Sequence, residues 1–436
     1  MRRIFGPHAY SDAPRDGCWW DETCTLPALA SLEGELTCDV AVIGGGFTGL
    51  NAALHLAKAG RSVVVLEAKR IGWGASGRNG GFCCLGGGML EDAELDAAFG
   101  REARLQFRRT EAEAVFYVRD FLDREGIDAE CHSAGETMLA HRPADARGLE
   151  AQGAKIRENY GVEPALLDAS QLRQHGFGGP FHGAVTTPIG FALNPRKYLA
   201  GLLEAARAAG VQVFEHAAVT RLTSGWMLKT ARGSMSANQV VVATNGYASE
   251  DIPPWLAGRY MPTQSNVLVT RPLRPEELDA QGWTSDQMAY DSRNLLHYFR
   301  LMPDRRFLFG MRGGLFSTRQ SERRARAATR RHFERMFPAW AHIDAPHAWS
   351  GMVAIARGRL PYAGPVPRED GLWAGLCYHG NGVAMGSYTG KLLAQAISAG
   401  GTVPVAMRQP LARFPLGVAR RLLMPPLYAA MSLADR

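Results

Sequence analysis

The sequence predicts an α/β protein with two domains, one built on a parallel sheet and one an α+β domain whose sheet is largely antiparallel. Residues 38–67 have the order strand, glycine turn, helix, strand, and residues 372–400 again give strand, glycine turn and helix. Between them, from 262 to 316, short segments such as SNVLVT and LHYFRLM have the alternation of antiparallel strands. Because similar units stand near both ends of the chain, we expect the first domain to be assembled from discontinuous segments.

The first of these units, CDVAVIGGGFTGLNAALHLAKAGRSVVVLE, predicts a βαβ fold. An apolar strand over Val40–Ile43 precedes a helix over Phe47–Ala59, in which apolar residues recur at helical spacing. Gly60 ends the helix, and a second apolar strand, Val63–Leu66, runs directly into Glu67. The order strand, glycine turn, helix, strand is that of a Rossmann-like unit.

The glycine turn of this unit has the spacing that binds a dinucleotide. Gly44 permits the tight turn, Gly46 lets the backbone approach a pyrophosphate, and Gly49 lets the helix pack closely on the strand. The helix N-terminus presents free N–H groups to the phosphates. Glu67 stands where a carboxylate accepts hydrogen bonds from the adenosine ribose, and its charge would repel a 2′-phosphate, which disfavours NADP.

Several elements follow along the chain. The segment 72–88 holds too many glycines for a regular element, and a charged helical region occupies roughly 91–126. Residues 194–210 read as a helix capped by Asn194, and 238–247 as a buried strand that runs into a turn. The arginine-dense segment 318–337 reads as a helix.

These patterns predict the domain boundaries. Residues 1–36 form an irregular lead-in, and the dinucleotide-binding domain takes 37–90, 160–260 and 345–400. The second domain, expected to bind substrate, takes 91–159 and 261–344, and residues 401–436 form a C-terminal tail. The tail mixes arginine with apolar residues, and we expect it to pack on its own protein rather than on a membrane.

Composition and charge exclude several function classes. Hydrophobic residues make up 46% and charged residues 21%, with a net charge of +7, which is ordinary for a globular protein. The helical face of Arg323, Arg326 and Arg330 is predicted to be solvated, and since no aromatic-rich basic groove accompanies it, nucleic acid is not the expected partner. No signal peptide or transmembrane segment is predicted, so a cytoplasmic location is expected. The cysteines are odd in number and include no C-x-x-C pair, which predicts reduced thiols and no metal site: Cys18, Cys24, Cys38, Cys83, Cys84, Cys131, Cys377.

The glycine spacing alone does not choose between NAD and FAD. After the second strand, however, RIGWGASGRNGG supplies a long loop with Arg70 and Arg78 where an NAD-binding half-domain would continue with another regular βα unit. With this loop, the segments VAVIGGGFTGL, VVVLE, VVVATNGY and LCYHGNGVAMGSYTGKLLAQAI make the chain resemble the FAD-dependent oxidases of amines and amino acids, the group of D-amino-acid, sarcosine and glycine oxidase. The sequence looks closest to the gamma-glutamylputrescine oxidase-like branch, over residues 40 to 397.

The resemblance implies FAD and a set of residues to hold it. The covalent cysteine of the sarcosine-type relatives has no counterpart near 350–358, which predicts that the FAD is bound non-covalently. The first glycine loop would hold the pyrophosphate, Glu67 the ribose, Val219 the adenine by its backbone, and the loops at 74–80 and 380–383 the flavin. A glycine turn that opens a helix also aims a positive dipole end at the reduced ring. The implied FAD-binding residues are Gly44, Gly46, Phe47, Thr48, Gly49, Glu67, Ala68, Arg70, Gly74, Ala75, Ser76, Gly77, Arg78, Asn79, Gly80, Val219, Ala243, Thr244, Gly380, Asn381, Gly382 and Val383.

Substrate and catalytic residues are predicted on the middle sheet and the last loops. The strand HYFR places Tyr298 and Arg300 on one face, as substrate contacts, with core packing and a surface charge as the alternatives. Trp349 and Tyr378 are aromatic candidates for the substrate pocket, although large aromatics more often fill cores. His379 precedes the last loop and is a candidate for contact with the flavin, or else a hydrogen-bonded structural histidine.

Two positions depart from the sarcosine-type relatives. Those relatives place a lysine on the middle sheet for reaction with oxygen, and the comparable strand FLFGMRGG offers Arg312 as that positive charge. They also carry a carboxylate-binding lysine where this chain has Ala384. The loss of that charge predicts a larger amine, with any carboxylate further from the reacting carbon.

The expected function is therefore oxidation of the C–N bond of an amine or amino-acid-like compound. The resemblance implies that a hydride passes to flavin N5, that the imine hydrolyses, and that oxygen is reduced to hydrogen peroxide. The alternatives are a dehydrogenase that passes electrons to a quinone or carrier protein, and a non-catalytic redox sensor. The sensor would need exposed cysteines near the flavin, for which Cys83 and Cys84 are the candidates.

Overall fold

The computed structural model describes all residues, Met1–Arg436, and contains two eight-stranded sheets and one small two-stranded sheet. The strands are β1 Gly34–Ile43, β2 Val63–Leu66, β3 Phe82–Cys84, β4 Glu136–Leu139, β5 Ala165–Asp168, β6 Gly183–Thr187, β7 Gly190–Ala192, β8 Gln212–Phe214, β9 Arg221–Thr223, β10 Met227–Lys229, β11 Gly233–Val242, β12 Tyr260–Val269, β13 Met288–Asp291, β14 His297–Leu301, β15 Phe307–Arg312, β16 His347–Ala356, β17 Tyr362–Pro365 and β18 Leu372–Leu376. The helices are α1 Trp20–Thr23, α2 Phe47–Lys58, α3 Asp92–Phe99, α4 Arg101–Glu125, α5 Pro143–Ala146, α6 Leu149–Tyr160, α7 Pro195–Ala208, α8 Pro275–Gln281, α9 Arg319–Met336, α10 Ala384–Ala399 and α11 Met424–Ala434.

The first sheet is the predicted parallel one. Its order is β17-β18-β11-β1-β2-β8, with β10 beside β11 and β9 beside β10. Strands β1, β2, β8, β11 and β18 run parallel. All four residues of β2 are buried, because a parallel sheet is covered on both faces. Helices α2, α4, α7 and α10 pack together over one face.

The second sheet has the order β16-β12-β15-β14-β13-β4-β6-β5 and is antiparallel except where β13 pairs with β4. Phenylalanines of β14 and β15 stack with one another and pack against α9, which forms the core of this region. The arginine-rich helix is α9, and part of its predicted solvated face is bonded to the protein: Arg326 donates to the carbonyl of Asp16 at 3.1 Å, and Arg330 to that of Ile343 at 2.6 Å.

The sheets differ in membership from the predicted domain boundaries. Strands β5, β6 and β16 lie in the second sheet, although 160–260 and 345–400 were assigned to the first domain. Helix α4, assigned to the second domain, buries its apolar face against α2 and α10. The physical reason is that strand pairing and helix packing depend on partners distant in sequence, such as Glu136 opposite Thr187.

The two ends of the chain pack on the body of the protein. In the lead-in, Arg15 donates to the carbonyls of Gly72 and Trp73 at 2.6 and 3.2 Å. In the tail, buried Arg420 pairs with Glu250 at 2.7 Å, and Asp435 accepts the N–H of Asn294 at 2.7 Å, so the tail docks on its own protein as expected. No helix combines the length and the apolar character needed to cross a membrane.

Candidate functional site

A cavity of about 420 Å³ lies where the two sheets meet. Its walls come from the first glycine loop, the loop at 74–80, the loop at 380–383, and the strands β12, β14, β15 and β16 of the second sheet. Both predicted glycine loops, far apart in sequence, therefore open into one space.

The first glycine loop is bare backbone because side chains do not fit there. Gly44 has φ of +110°, and a Cβ on it would lie 2.8 Å from the carbonyl oxygen of Ala243. A Cβ on Gly46 would lie 2.7 Å from the Ser76 hydroxyl, and one on Gly49 would lie 1.9 Å from the carbonyl of Gly44. Gly44 and Gly46 line the cavity, whereas Gly49 serves the close packing of α2 on β1.

Glu67 and Thr244 supply polar atoms at this end of the cavity. The Glu67 carboxylate accepts the N–H of Gly45 at 2.8 Å and that of Lys69 at 2.9 Å, which fixes its position at the end of β2. Burial raises the pKa of Glu67, against the lowering effect of these two donors. The buried hydroxyl of Thr244 has no hydrogen-bond partner. Because buried hydroxyls are normally bonded, Thr244 indicates a ligand in the cavity.

Three consecutive backbone carbonyls of the loop at 74–80 accept hydrogen bonds from side chains that lie behind the loop. Trp349 donates its indole N–H to the carbonyl of Arg78 at 2.8 Å, Trp20 donates to that of Asn79 at 2.7 Å, and Arg300 donates to that of Gly80 at 3.1 Å. These three side chains come from β16, α1 and β14. Trp349 and Arg300 are buried and do not line the cavity, so the structure places both predicted substrate contacts behind the loop, as its supports.

The guanidinium of Arg78 is also occupied by the protein. It donates to the carbonyl of Trp73, and to that of Ser350 at 3.2 Å, and it lies 4.6 Å from the centre of the Trp73 ring. Arg78 is one of the residues that line the cavity. Its hydrogen bonds shape the loop rather than leaving the charged group free for a ligand.

The last glycine loop precedes α10 and is braced against the first. Gly380 has φ of +113°, and Asn381 donates its side-chain amide to the carbonyl of Leu85. The hydroxyl of Tyr378 lies 2.9 Å from that of Thr48 on α2. Tyr378 lines the cavity, but its hydroxyl is used to join the two glycine loops.

His379 is a structural histidine. Its Nδ1 lies 2.8 Å from the carbonyl of Gly87, and its Nε2 accepts the N–H of Ala356 at 3.1 Å, so the ring is neutral with the proton on Nδ1. Burial lowers the pKa of His379 to about 4. The ring does not line the cavity, so the predicted flavin contact is not supported.

Tyr298 and Arg312 stand at the end of the cavity formed by the second sheet. The Tyr298 ring lies between two glycines: a Cβ on Gly80 would be 2.7 Å from its Cε2, and one on Gly310 would be 2.1 Å from its Cζ. Its hydroxyl lies 2.9 Å from that of Ser265. Arg312 donates to the carbonyl of His379 at 3.1 Å, which places its charge beside the last loop.

The structure thus brings most of the predicted residues to one cavity. The predicted residues that line it are Gly44, Gly46, Phe47, Thr48, Glu67, Ala68, Gly74, Ala75, Ser76, Arg78, Asn79, Gly80, Val219, Ala243, Thr244, Tyr298, Arg312, Tyr378, Gly380, Asn381, Gly382 and Val383. Six do not line it: Gly49, Arg70, Gly77, Arg300, Trp349 and His379. Arg70 is exposed, and Gly77 is buried because a Cβ there would lie 2.0 Å from the carbonyl of Gly72.

Sequence reasoning missed several residues of the wall. Glu136 on β4 and Tyr290 on β13 line the cavity, together with Ser265, Leu296 and Tyr247. Strand β4 reaches the cavity only because it pairs with β13 in parallel, with Glu136 opposite Met288. No local pattern around Glu136 marks it as part of a site.

The cysteines near the cavity do not have the properties of redox sensors. Cys83 and Cys84 are buried, and burial raises the pKa of both thiols well above the usual range. A thiol held in this form is a poor nucleophile. Cys83 and Cys84 therefore do not supply the exposed cysteines that the redox-sensor alternative requires.

Comparison with known proteins agrees with this geometry. The DAO family model, described as FAD dependent oxidoreductase, matches residues 39–396. The gamma-glutamylputrescine oxidoreductase of Escherichia coli (strain K12) is 31% identical over 370 residues, which cover 84% of this chain and 85% of that protein. The crystal structure of glycine oxidase from Geobacillus kaustophilus superposes with a TM-score of 0.68 at 20% identity, over 86% of this chain and 100% of the other. That of L-proline dehydrogenase from P. horikoshii gives 0.69 at 19% identity, over 86% and 96%.

Proposed function

The chain belongs to the family of FAD-dependent oxidoreductases, and from this premise we propose that it oxidises the C–N bond of an amine or amino-acid-like substrate and passes the electrons to oxygen. The predicted family and fold class are confirmed. The protein is an FAD-dependent oxidoreductase that acts on amine or amino-acid substrates. Beyond this, we propose which acceptor receives the electrons and which residues take part in the reaction.

One observation carries the proposal: a single cavity joins the two glycine loops to Tyr298 and Arg312 of the second sheet. FAD is a long cofactor with an anionic pyrophosphate in its middle, and the lining residues have the matching chemistry. The N-terminus of α2 opens on one side of the cavity, the unpartnered hydroxyl of Thr244 lies nearby, and α10 begins at the other loop. The residues present therefore fit the cofactor.

Different lining residues would contact different parts of FAD. Gly44, Gly46 and Thr244 would hold the pyrophosphate, and the fixed carboxylate of Glu67 would accept the ribose hydroxyls. The loops at 74–80 and 380–383 would face the ring system. When bound, FAD supplies an acceptor for a hydride at N5 and passes the electron pair to oxygen, which gives hydrogen peroxide.

The wall around Tyr298 would keep the reacting amine neutral. An amine pushes out a hydride only when its lone pair is free, so the ammonium form is inactive. Phe82 and Tyr298 pack edge to face with ring centres 5.5 Å apart and, with Leu296, give this end of the cavity an apolar surface. Such a surface disfavours the charged form of an amine beside it. The imine product would then hydrolyse.

Arg312 would supply the fixed positive charge that favours electron transfer to oxygen. It lines the cavity and is held to the last loop by its bond to the carbonyl of His379. Burial lowers the pKa of Arg312, but a guanidinium stays protonated throughout the physiological range. The positive charge therefore remains beside the loop that would face the flavin.

An amine panel tests the proposal. Holoenzyme is mixed without oxygen with primary amines, secondary amines and amino acids, and loss of the oxidised-flavin absorbance is followed. We expect at least one class to bleach the flavin, and air to restore the colour with one equivalent of peroxide per turnover. Bleaching that air does not reverse would assign the electrons to a quinone or carrier protein, and an inert flavin across the panel would refute amine oxidation.

A further inference from the structure

Glu136 lines the cavity, and its carboxyl group has no cationic partner. It lies on β4 and lines the cavity beside Tyr290 and Cys84, and the residue is 9% exposed. No lysine, arginine or histidine lies within ion-pair distance of it. By contrast, buried Asp291 is partnered by His297 at 2.6 Å and buried Glu111 by Arg108 at 3.0 Å.

The groups around Glu136 do not compensate its charge. From the neighbouring elements the titratable groups that face it are Cys83 and Cys84 on β3, Tyr290 on β13, Glu111 on α4 and Tyr160 on α6. None of these is a cation, and the Cys84 thiol is its one hydrogen-bonding neighbour. Burial raises the pKa of Glu136 to about 8. An unpaired buried carboxyl destabilises a fold, so its presence in a cavity indicates a binding role.

The wall near Glu136 suits a cation. Tyr290 lies beside Glu136 in the cavity wall and supplies an aromatic face. A carboxylate with aromatic rings is the usual combination for an ammonium group. Glu136 offers no positive charge to a substrate carboxylate, so this end of the cavity selects against free amino acids.

We propose that Glu136 binds a second ammonium group of the substrate, so that the preferred substrates are diamines or longer polyamines. This inference rests on the proposed amine oxidation. The two ends of the substrate are treated differently: the apolar wall around Tyr298 receives the neutral reacting amine, and Glu136 receives the distal, protonated one. Arg312 donates to the carbonyl of His379 and makes no ion pair with Glu136.

A series of three substrates of equal chain length tests this in the wild-type holoenzyme. Putrescine carries an ammonium at its far end, butylamine a methyl group, and gamma-aminobutyrate a carboxylate. We expect kcat/KM to fall in that order, by about tenfold to a hundredfold from the diamine to the monoamine, as for a charged hydrogen bond. Equal or better turnover of gamma-aminobutyrate would overturn the inference.

Variants locate the effect. Glu136→Gln should remove the preference for putrescine over butylamine by lowering putrescine turnover, because butylamine has no distal ammonium group for the carboxyl to bind. Glu136→Asp should keep part of the preference. Glu102→Gln, on the exposed side of α4, is the matched control and should change nothing. Equal losses for both substrates in Glu136→Gln would mean a structural role and would refute the assignment.

The two proposals fail in different ways. Flavin bleaching by other amines or by amino acids, with putrescine inert or not preferred, would reject the role of Glu136 and leave amine oxidation standing. An inert flavin with every compound would reject amine oxidation itself. If Glu136→Gln does not retain FAD, the wild-type substrate series decides alone.

Discussion

The hydroxyl of Tyr378 lies 2.9 Å from that of Thr48, so one hydrogen bond joins the two glycine loops across the cavity. Tyr378 precedes the last loop, and Thr48 belongs to the first turn of α2. Both side chains line the cavity, and the Tyr378 ring is buried. The bond therefore fixes the distance between the two elements that would hold opposite parts of the cofactor.

Removing this bond should weaken FAD binding. In Tyr378→Phe the ring remains and only the hydroxyl is lost, which costs about 1 kcal/mol, or roughly fivefold in the FAD dissociation constant. Titration of apoprotein with FAD, followed by quenching of flavin fluorescence, measures it. The control is Tyr388→Phe, in which a residue of α10 loses its hydrogen bond to Glu113 of α4. This variant should bind FAD as the wild type does. Equal affinities for all three proteins would show that the brace is not used.

Gly310 should be required for the position of Tyr298. A methyl group at Gly310 would lie 2.1 Å from Cζ of the Tyr298 ring, so Gly310→Ala must push the ring towards Gly80 or into the cavity. We expect FAD to be retained and the rate of flavin reduction by amine to fall at least about tenfold, since misplacing a group by an ångström is costly. Gly6→Ala, where a Cβ meets nothing within 4 Å, is the control. An unchanged reduction rate would separate Tyr298 from the reaction.

The support of the loop at 74–80 should be visible as stability. Trp349→Phe leaves the buried carbonyl of Arg78 without its donor, which should lower the free energy of unfolding by about 1–3 kcal/mol. Urea denaturation with and without FAD measures the loss, and we expect it in both states. Trp373→Phe, whose indole bonds to Gln239 at a half-buried position, should cost less. A larger effect of Trp373→Phe would contradict the arrangement.

His379 should make the protein less stable in mild acid. Its pKa of about 4 in the folded state lies below the ordinary value of 6.5, so between those values the unfolded chain binds more protons than the folded one. Stability from this group is present above pH 6.5 and is lost as the pH falls towards 4, about 2 kcal/mol of it at pH 5. The difference in unfolding free energy between pH 7 and pH 5 should therefore shrink in His379→Gln and stay the same in the exposed control His175→Gln.

The parts of the fold that could be predicted from the sequence have local causes. Asn194 accepts the N–H groups of Arg196 and Lys197 at 3.1 and 3.2 Å, as a cap before a helix should. The alternation of β14 correctly places Tyr298 and Arg300 on one face. Both features depend on neighbours within a few residues along the chain.

The parts of the fold and of the site that could not be predicted depend on contacts between segments distant in the sequence. Arg300 was expected to meet substrate, but its guanidinium bonds to Gly80, 220 positions away. Glu136 enters the cavity because β4 pairs with β13, and nothing in the residues around it indicates that pairing. The two glycine loops that open into the cavity were predictable because glycine spacing is a local code, whereas the side chains that support them and Glu136 in the cavity wall were not.

Trp20, Arg300 and Trp349 hold three successive carbonyls of one loop, and the last of the three lies far along the chain. During synthesis, these three hydrogen bonds cannot all form until the ribosome has translated the chain beyond Trp349. FAD binding, and with it the yellow colour of the flavin, should therefore occur only when synthesis of the chain is nearly complete.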